Sequence, residues 1–339
     1  MHHQLTRLTL LALSPVFAYT LYRFGALEGI AAFCTGPGSY SRIFAALLLA
    51  LNWKSLPFAW NVRIWHAMIL HLFVREFHTH TPDKLFQPVI SESYASIGEI
   101  DYRLHKSNST YLADLDISRS HLVSHLVARS GHLAARNAKT RLVMDPSNPT
   151  QPARGAFNIG IGGVHCSFKR EIKPYQRYEM WSRIMAWDRK WLYILTHFVE
   201  KGAVAPQSWD AGNGNGGWTR NTPGKHQDWE KSVFATAVTS YVFKLGRLTI
   251  HPAIMLGASG LLPERPDGWT SDDTGTSLSG DIASARKPDN NETTEWTWER
   301  TEKERKSGLA FARHFAAMDD LHGWFDGGED GALGRFFLG

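Results

Sequence analysis

The sequence predicts an α+β protein, on three observations. A long helical pattern of apolar residues lies near the middle of the chain. A run of segments rich in β-branched and aromatic residues follows it, and stretches with helical rather than strand character flank the two. A helix that buries one face on an antiparallel sheet is the two-layer solution to that order of elements. With 339 residues, 43% of them apolar and 12% aromatic, the chain has enough material for a substantial core.

Taken from the N-terminus, residues 1–80 form an apolar helical region. Leu8–Tyr22 and Ile43–Trp53 are both shorter than the roughly 20 residues that span a bilayer. Arg23 and Glu28 interrupt any extension of the first, and no small-residue cleavage site follows it, which argues against a removed secretory signal. Leu56–Val74 adds tryptophans and scattered His and Arg, the composition of a helix lying in a membrane interface. The reading is a membrane anchor of this kind, with packing on the globular domain as the alternative.

The globular domain runs over residues 86–262. Tyr111, Leu112, Leu115, Leu122, Leu126 and Val127 recur at three- and four-residue steps and mark a helix over Asn108–Arg129. A loop carrying Pro146, Pro149 and Pro152 follows. Phe157–Ile172, Tyr178–Trp187, Lys190–Glu200 and Val233–Leu245 then read as four strands. Asp188-Arg189 suits a tight hairpin, with Trp187, Asp188 and Trp191 packing around it, whereas 202–228 is long and polar and reads as an insertion. Residues 263–291 are a Gly/Ser/Asp-rich linker, and 292–339 hold a helix, charged at its start and amphipathic to about His322, that lies against something.

Composition excludes several classes. The net charge of +5 comes from dispersed Lys and Arg with no block resembling a nucleic-acid arm. Cys34 and Cys166 are the only cysteines, so no disulfide framework and no cysteine zinc site is expected, and the chain reads as an intracellular one in a reducing compartment. The two glycosylation sequons, at Asn108 and Asn291, read as chance. The Gly-x-Ser-x-Gly elbow is absent, Gly212–Gly217 lacks the strand–helix context of a phosphate loop, and His165 and Cys166 point to opposite faces of a strand.

The segment Ile100–Arg119 (IDYRLHKSNSTYLADLDISR) carries the chemistry. Asp101 precedes Tyr111 by ten residues, which resembles the spacing in hot-dog thioesterases between a loop carboxylate and a tyrosine in the first turns of the central helix. This stretch resembles the acidic-x3-His-x-Asn-Asn-x-x-Tyr-Leu…Asp-x-x-Arg pattern of hot-dog thioesterases, in particular the eukaryotic subgroup similar to thioesterase superfamily member six. A second block within Phe168–Val199 resembles that subgroup's Trp-Asp strand pair. Ser107 stands for one of the paired asparagines and Thr110 for a basic residue, departures that bear on the binding geometry.

The resemblance implies a hot-dog fold, here with added N-terminal apolar helices and a C-terminal helix, a homodimer, and thioesterase activity on acyl-CoA or an acyl-carrier protein without metal or other cofactor. Asp101 takes the catalytic acid position. The long insertions resemble those of fungal members in secondary-metabolite pathways, which would make the substrate a polyketide or fatty acyl group.

The physics of thioester cleavage asks for a carboxylate as nucleophile or general base and for donors that hold the developing oxyanion. A helix start near Asn108 offers such N–H groups and a partial positive charge. His105 can hydrogen-bond the thioester carbonyl, orient Asp101, or serve a structural purpose. Tyr111 and Asp114 are expected beside the substrate. Other hot-dog lineages carry the acid on the helix, which makes Asp114 and Asp116 competing candidates; the plain alternative for both is a surface position or a salt bridge, Asp116 with Arg119. The rival function is a non-catalytic, membrane-associated acyl- or lipid-binding protein.

Overall fold

The computed structural model describes residues 26–74, 80–206, 229–264, 266 and 296–324. The apolar stretch 8–22, most of the 202–228 insertion and nearly all of the 263–291 linker lie outside them. The chain divides into two compact units, Met1–Ala59 with Ser96–Gly98, and Trp60–Ala95 with Glu99–Gly339. The boundary therefore falls inside the region 1–80 that composition groups as one.

The first unit holds α1 (Ala26–Thr35) and α2 (Ser39–Leu51). A turn with Gly38 at φ 76° separates them, a left-handed conformation that glycine adopts at no steric cost. No residue of α2 is buried, and Phe44, Leu47 and Leu51 are exposed. Asn52 Oδ1 accepts the Gly98 N–H at 2.9 Å, and a Cβ on Gly98 would come within 2.9 Å of Ser55. No helix of the described residues is long and apolar enough to cross a membrane.

α3 (Ala59–Ile69), in the second unit from its second residue on, continues as a π-helical turn over Leu70–Val74. β1 (Val89–Tyr94) leads through a loop into α4 (Asn108–Ala135), which runs six residues past the C-terminal end expected from the apolar period. The extra turns carry Ser130 and Ala134, both buried; small residues that pack closely leave no amphipathic signature. A short helix α5 (Asn137–Thr140) and a small hairpin, β2 (Met144–Asp145) with β3 (Asn148–Pro152), occupy the proline-rich stretch expected as a loop.

The strands β4 (Phe157–Phe168), β5 (Arg177–Trp187), β6 (Leu192–Glu200) and β7 (Val233–Leu245) correspond to the four expected segments. With β1 and β8 (Leu248–Ile250) they form a six-stranded antiparallel sheet in the order β1-β5-β6-β7-β4, β8 pairing with β7. α6 (Pro252–Ala258) and α7 (Trp298–Ala316) complete the described chain. In the 188–191 turn, Asp188 Oδ1 accepts the N–H groups of Lys190 and Trp191, both at 2.7 Å, and Oδ2 accepts the Tyr193 hydroxyl. These residues serve the hairpin, as expected.

The sheet wraps α4. Leu122, Leu126 and Val127 of the helix pack with Ile184, Ile194 and Phe243 of the sheet in the main core, while Tyr111 and Leu115 join Tyr178, Met180 and Phe198 nearer the helix start. Leu112, part of the apolar period, is 43% exposed. α4 is also held from outside the sheet. His71, on the π-helical turn, meets His121 with ring nitrogens 3.1 Å apart, and His80 Nε2 donates to the His125 carbonyl at 3.0 Å.

The C-terminal helix expected to lie against something does so. Leu309 and Ala312 of α7 bury against Ala186 and Tyr193, and Arg305 donates to the Trp187 carbonyl at 2.9 Å while pairing with Glu302. Gly308 permits the approach, because a Cβ there would sit 2.2 Å from the Met185 carbonyl oxygen.

Candidate active site

The turn between β1 and α4 is built from its own backbone. Ile100 and Lys106 form a bridge, the Asp101 N–H donates to the His105 carbonyl at 3.0 Å, and the Leu104 N–H donates to the Asp101 carbonyl at 3.0 Å. Leu104 closes the turn at φ 62°, in the left-handed region that a branched side chain seldom adopts. Such a conformation persists only where its surroundings over-determine it. The Asp101 carboxylate takes part as well, Oδ1 accepting the Arg103 N–H at 2.9 Å.

The other oxygen of Asp101 faces His105. Asp101 Oδ2 lies 3.7 Å from His105 Nδ1, and His105 Nε2 lies 3.6 Å from Glu171 on the far side. Both distances exceed a hydrogen bond, so the imidazole sits between two carboxylates without bonding to either, its Nδ1 lying 3.3 Å from the Lys106 carbonyl. The Asp101 side chain is 24% exposed, open to water or substrate on one side and fixed by backbone on the other.

Immediately after the turn, α4 begins. Its N-cap, Ser107, accepts no backbone N–H of the first turn through its side chain; its hydroxyl meets that of Ser109 at 3.1 Å. The Thr110 N–H turns back to the Ser107 carbonyl. Among the described residues the backbone N–H groups of Asn108 and Ser109 then have no protein acceptor. Unpaired amides at the positive end of a 28-residue helix form a pre-set site for negative charge. Asn108 itself is exposed.

Beneath this surface lies a buried charged cluster that sequence patterning does not reveal. Asp114, fully buried, accepts from both terminal nitrogens of Arg63 at 3.1 Å and from Ser93 at 3.2 Å through Oδ1, and from Lys106 Nζ at 2.9 Å and the Tyr178 hydroxyl through Oδ2. Lys106 Nζ also reaches Glu99 at 3.2 Å. Burial, reinforced by the Asp114 charge, raises the Tyr178 phenol well above its ordinary value, so it stays a donor. The sequence places Asp114 beside the substrate; in the structure it has no exposed surface and its oxygens are taken by four side chains. Asp116 pairs with Arg119, whose other end donates to Thr239 at 3.0 Å, the salt-bridge alternative for that residue.

Tyr111 lies between the two layers. It is almost fully buried, edge-on to Phe168 and Phe198 at ring distances of 5.0 and 5.1 Å, and burial pushes its phenol well above the usual range. The structure thus brings Asp101, His105 and the start of α4 at Asn108 together at the surface and places Tyr111 and Asp114 beneath them. Near the same cluster, burial pushes the Cys166 thiol up to about 11, which favours its protonated form at neutral pH. Among the described residues no group of three or more His, Cys, Asp or Glu side chains can hold a metal ion.

Of the cluster, only Asp114 stands out in the sequence, through its place in the helix motif. Lys106, Glu99 and Ser93 belong to no pattern of their own, Tyr178 falls in an expected strand, and Arg63 falls in a segment whose composition suits a membrane interface. Nothing in their spacing signals that the fold gathers them.

An antiparallel sheet wrapped on one long helix, with a carboxylate-bearing turn at that helix's start, defines a hot-dog protein of the thioesterase class. The comparisons make it definite: the family model described as the thioesterase-like superfamily matches residues 95–225. Thioesterase poxG of Penicillium oxalicum is 33% identical over 300 residues, 84% of this chain and 88% of that protein. Probable thioesterase atnL of Emericella nidulans is 32% identical over 309 residues, 89% of this chain and 91% of that one. Among solved structures, BH1999 gentisyl-coenzyme A thioesterase matches at 13% identity and a TM-score of 0.31, over 50% of this chain and 98% of that one. The chain belongs to the thioesterase-like superfamily.

Proposed function

We propose that this protein is an acyl thioesterase that releases an acyl or polyketide chain from CoA or a carrier protein, with Asp101 as the catalytic carboxylate. The observation that carries the reading is Asp101 itself: one oxygen is fixed by the Arg103 N–H, the other is open beside His105, and the unpaired amides of Asn108 and Ser109 follow at the helix start.

In such a site the thioester carbonyl oxygen points at the first-turn amides of α4. As a general base, Asp101 takes a proton from water while the water oxygen bonds to the carbonyl carbon. As a nucleophile, its oxygen bonds to that carbon and forms a mixed anhydride that water then opens. In both courses the carbon–sulfur bond breaks as the tetrahedral oxyanion collapses, and the thiolate leaves and is protonated. His105 orients Asp101, and Tyr111 packs the floor beneath. The non-catalytic acyl-binding alternative has no counterpart to this combination of an oriented open carboxylate and unpaired amides.

Comparison of the wild type with Asp101→Asn on a panel of acyl-CoA and acyl-carrier thioesters tests the reading. Turnover that drops by about two orders of magnitude or more supports it, and equal turnover across the panel refutes it.

Two finer points belong to the same proposal. β4 is an edge strand of 12 residues, and such an unpaired edge suits pairing with a second copy into a continuous sheet. Sedimentation equilibrium at micromolar concentration then gives twice the 38.1 kDa chain mass, and a monomer rejects the dimer. Trp65, Ile69 and Phe73, spaced four apart along α3 and its π-helical turn, are all exposed and suit a membrane surface. A protein that stays wholly in the supernatant when lysate is spun at high speed contradicts that attachment.

A further inference from the structure

Lys106 falls at an unspecified position of the loop motif, between His105 and Ser107, and the chemistry above gives its side chain no part. Yet that side chain is 0% exposed, an unusual place for a lysine. Its ammonium joins three points of the chain. Glu99, 3.2 Å away, lies just before the turn that carries Asp101; Lys106 itself pairs with Ile100 and ends that turn; Asp114, 2.9 Å away, sits inside α4. One buried charge therefore ties the two feet of the catalytic turn to each other and both of them to the helix.

We propose that Lys106 is a positioning residue: by clamping the feet of the 100–106 turn onto α4, it sets the distance between the Asp101 carboxylate and the first-turn amides of the helix. The proposal rests on the catalytic reading of Asp101. The tip of the turn carries the exposed side chains of Tyr102 and Leu104, so packing at the tip does not orient it. Its direction is decided at the base, where the Ser107 N–H donates to the Glu99 carbonyl, the Lys106 N–H donates to the Ile172 carbonyl, and the Lys106 ammonium makes its two ion pairs. The backbone bonds tie the base to itself and to Ile172, and the ammonium adds the tie to α4. The receiving carboxylate is itself immobile, because Arg63, Ser93 and Tyr178 already hold Asp114 in place. A displacement of about 1 Å in a catalytic group costs on the order of 10²-fold in rate, which is the scale on which a clamp matters.

The experiment compares wild type, Lys106→Met and Lys106→Arg by hydrogen exchange of the turn amides, by thermal melting, and by kcat and KM on decanoyl-CoA and benzoyl-CoA. Lys106→Met is expected to speed exchange at Asp101, Leu104 and Ser107 while the β5–β6 amides keep their protection. It should slow turnover about 10- to 100-fold with KM changed less than about threefold, a loss that positioning predicts. Lys106→Arg, which keeps the charge, should recover most of both. Should Lys106→Met fail to fold because the buried Glu99 and Asp114 carboxylates lose a shared cation, the pair Lys106→Met with Glu99→Gln removes one charge of each sign and carries the same readouts.

Unchanged exchange at the turn, an even rise throughout the domain, or wild-type turnover in a folded variant overturns the proposal. So does failure of both variants to fold, which makes Lys106 a residue of stability alone. Equal turnover by wild type and Asp101→Asn would instead sink the catalytic reading, and the exchange data would still decide the clamp.

Discussion

Replacing Asp114 by asparagine separates the two carboxylates near the start of the central helix, because a supporting residue and a catalytic one fail in opposite ways. The shape is kept and one buried charge removed. Asp114 receives two hydrogen bonds from Arg63 and one each from Ser93, Lys106 and Tyr178. Charge-assisted bonds are worth about 1.5–3 kcal/mol each, but their sum overstates the effect, since burying the carboxylate itself costs several kcal/mol. Removing one partner of a buried ion pair costs about 3–5 kcal/mol because the other charge is stranded. Here Lys106 keeps Glu99, and Arg63, with a side chain 16% exposed, can turn toward water, so the lower end applies. A loss of about 3 kcal/mol lowers Tm by roughly 10 °C in a domain of this size. Calorimetry or a dye melt reads that shift, with acyl-CoA turnover measured well below the new Tm. The reasoning is refuted if Asp114→Asn melts within about 2 °C of wild type while losing all turnover, the signature of a catalytic acid, and Asp101→Asn alone leaves turnover intact.

Two further outcomes follow from the packing. Gly308→Ala gains about 1 kcal/mol of helix propensity but places a Cβ 2.2 Å from the Met185 carbonyl oxygen, so α7 must lift and the overpacking cost of about 1–3 kcal/mol dominates; Tm should fall by several degrees, and a rise would show that α7 is not seated on β5. Tyr241 is held protonated, burial pushing its phenol from 10 up to about 12. Because the folded value exceeds the unfolded one, this contribution is whole below pH 10 and is lost as pH rises through 12, by at most about 2.7 kcal/mol. Urea titrations from pH 9 to 12 should therefore show a shallower decline for Tyr241→Phe than for wild type, and parallel curves would contradict the assignment.

The order of elements was legible because their chemistry is local. The apolar period that marks α4, the β-branched and aromatic runs of β4 to β7, and the tight hairpin at Asp188 each need only neighbours in sequence. Their limits were less legible wherever packing decided them. α4 runs on through small residues that meet neighbours closely, and the short β2–β3 hairpin forms among prolines that alone suggest a loop. The resemblance carried by Asp101 and Tyr111 pointed to the turn and the helix start, and it was legible because the motif lies on one short stretch of chain.

The α+β order, the thioesterase-like motif and the carboxylate at its head were therefore written in the chain itself. Which of the nearby carboxylates stays open and which is buried was left to folding. Asp101 and Asp114 are the same residue type on one short stretch, and only the placement of Arg63, Ser93 and Tyr178 around the second, with Lys106 between it and Glu99, encloses it. Those partners come from four separate stretches of chain, and their convergence depends on how the sheet and α3 close around the helix, a matter of long-range packing that leaves no periodic trace in the sequence.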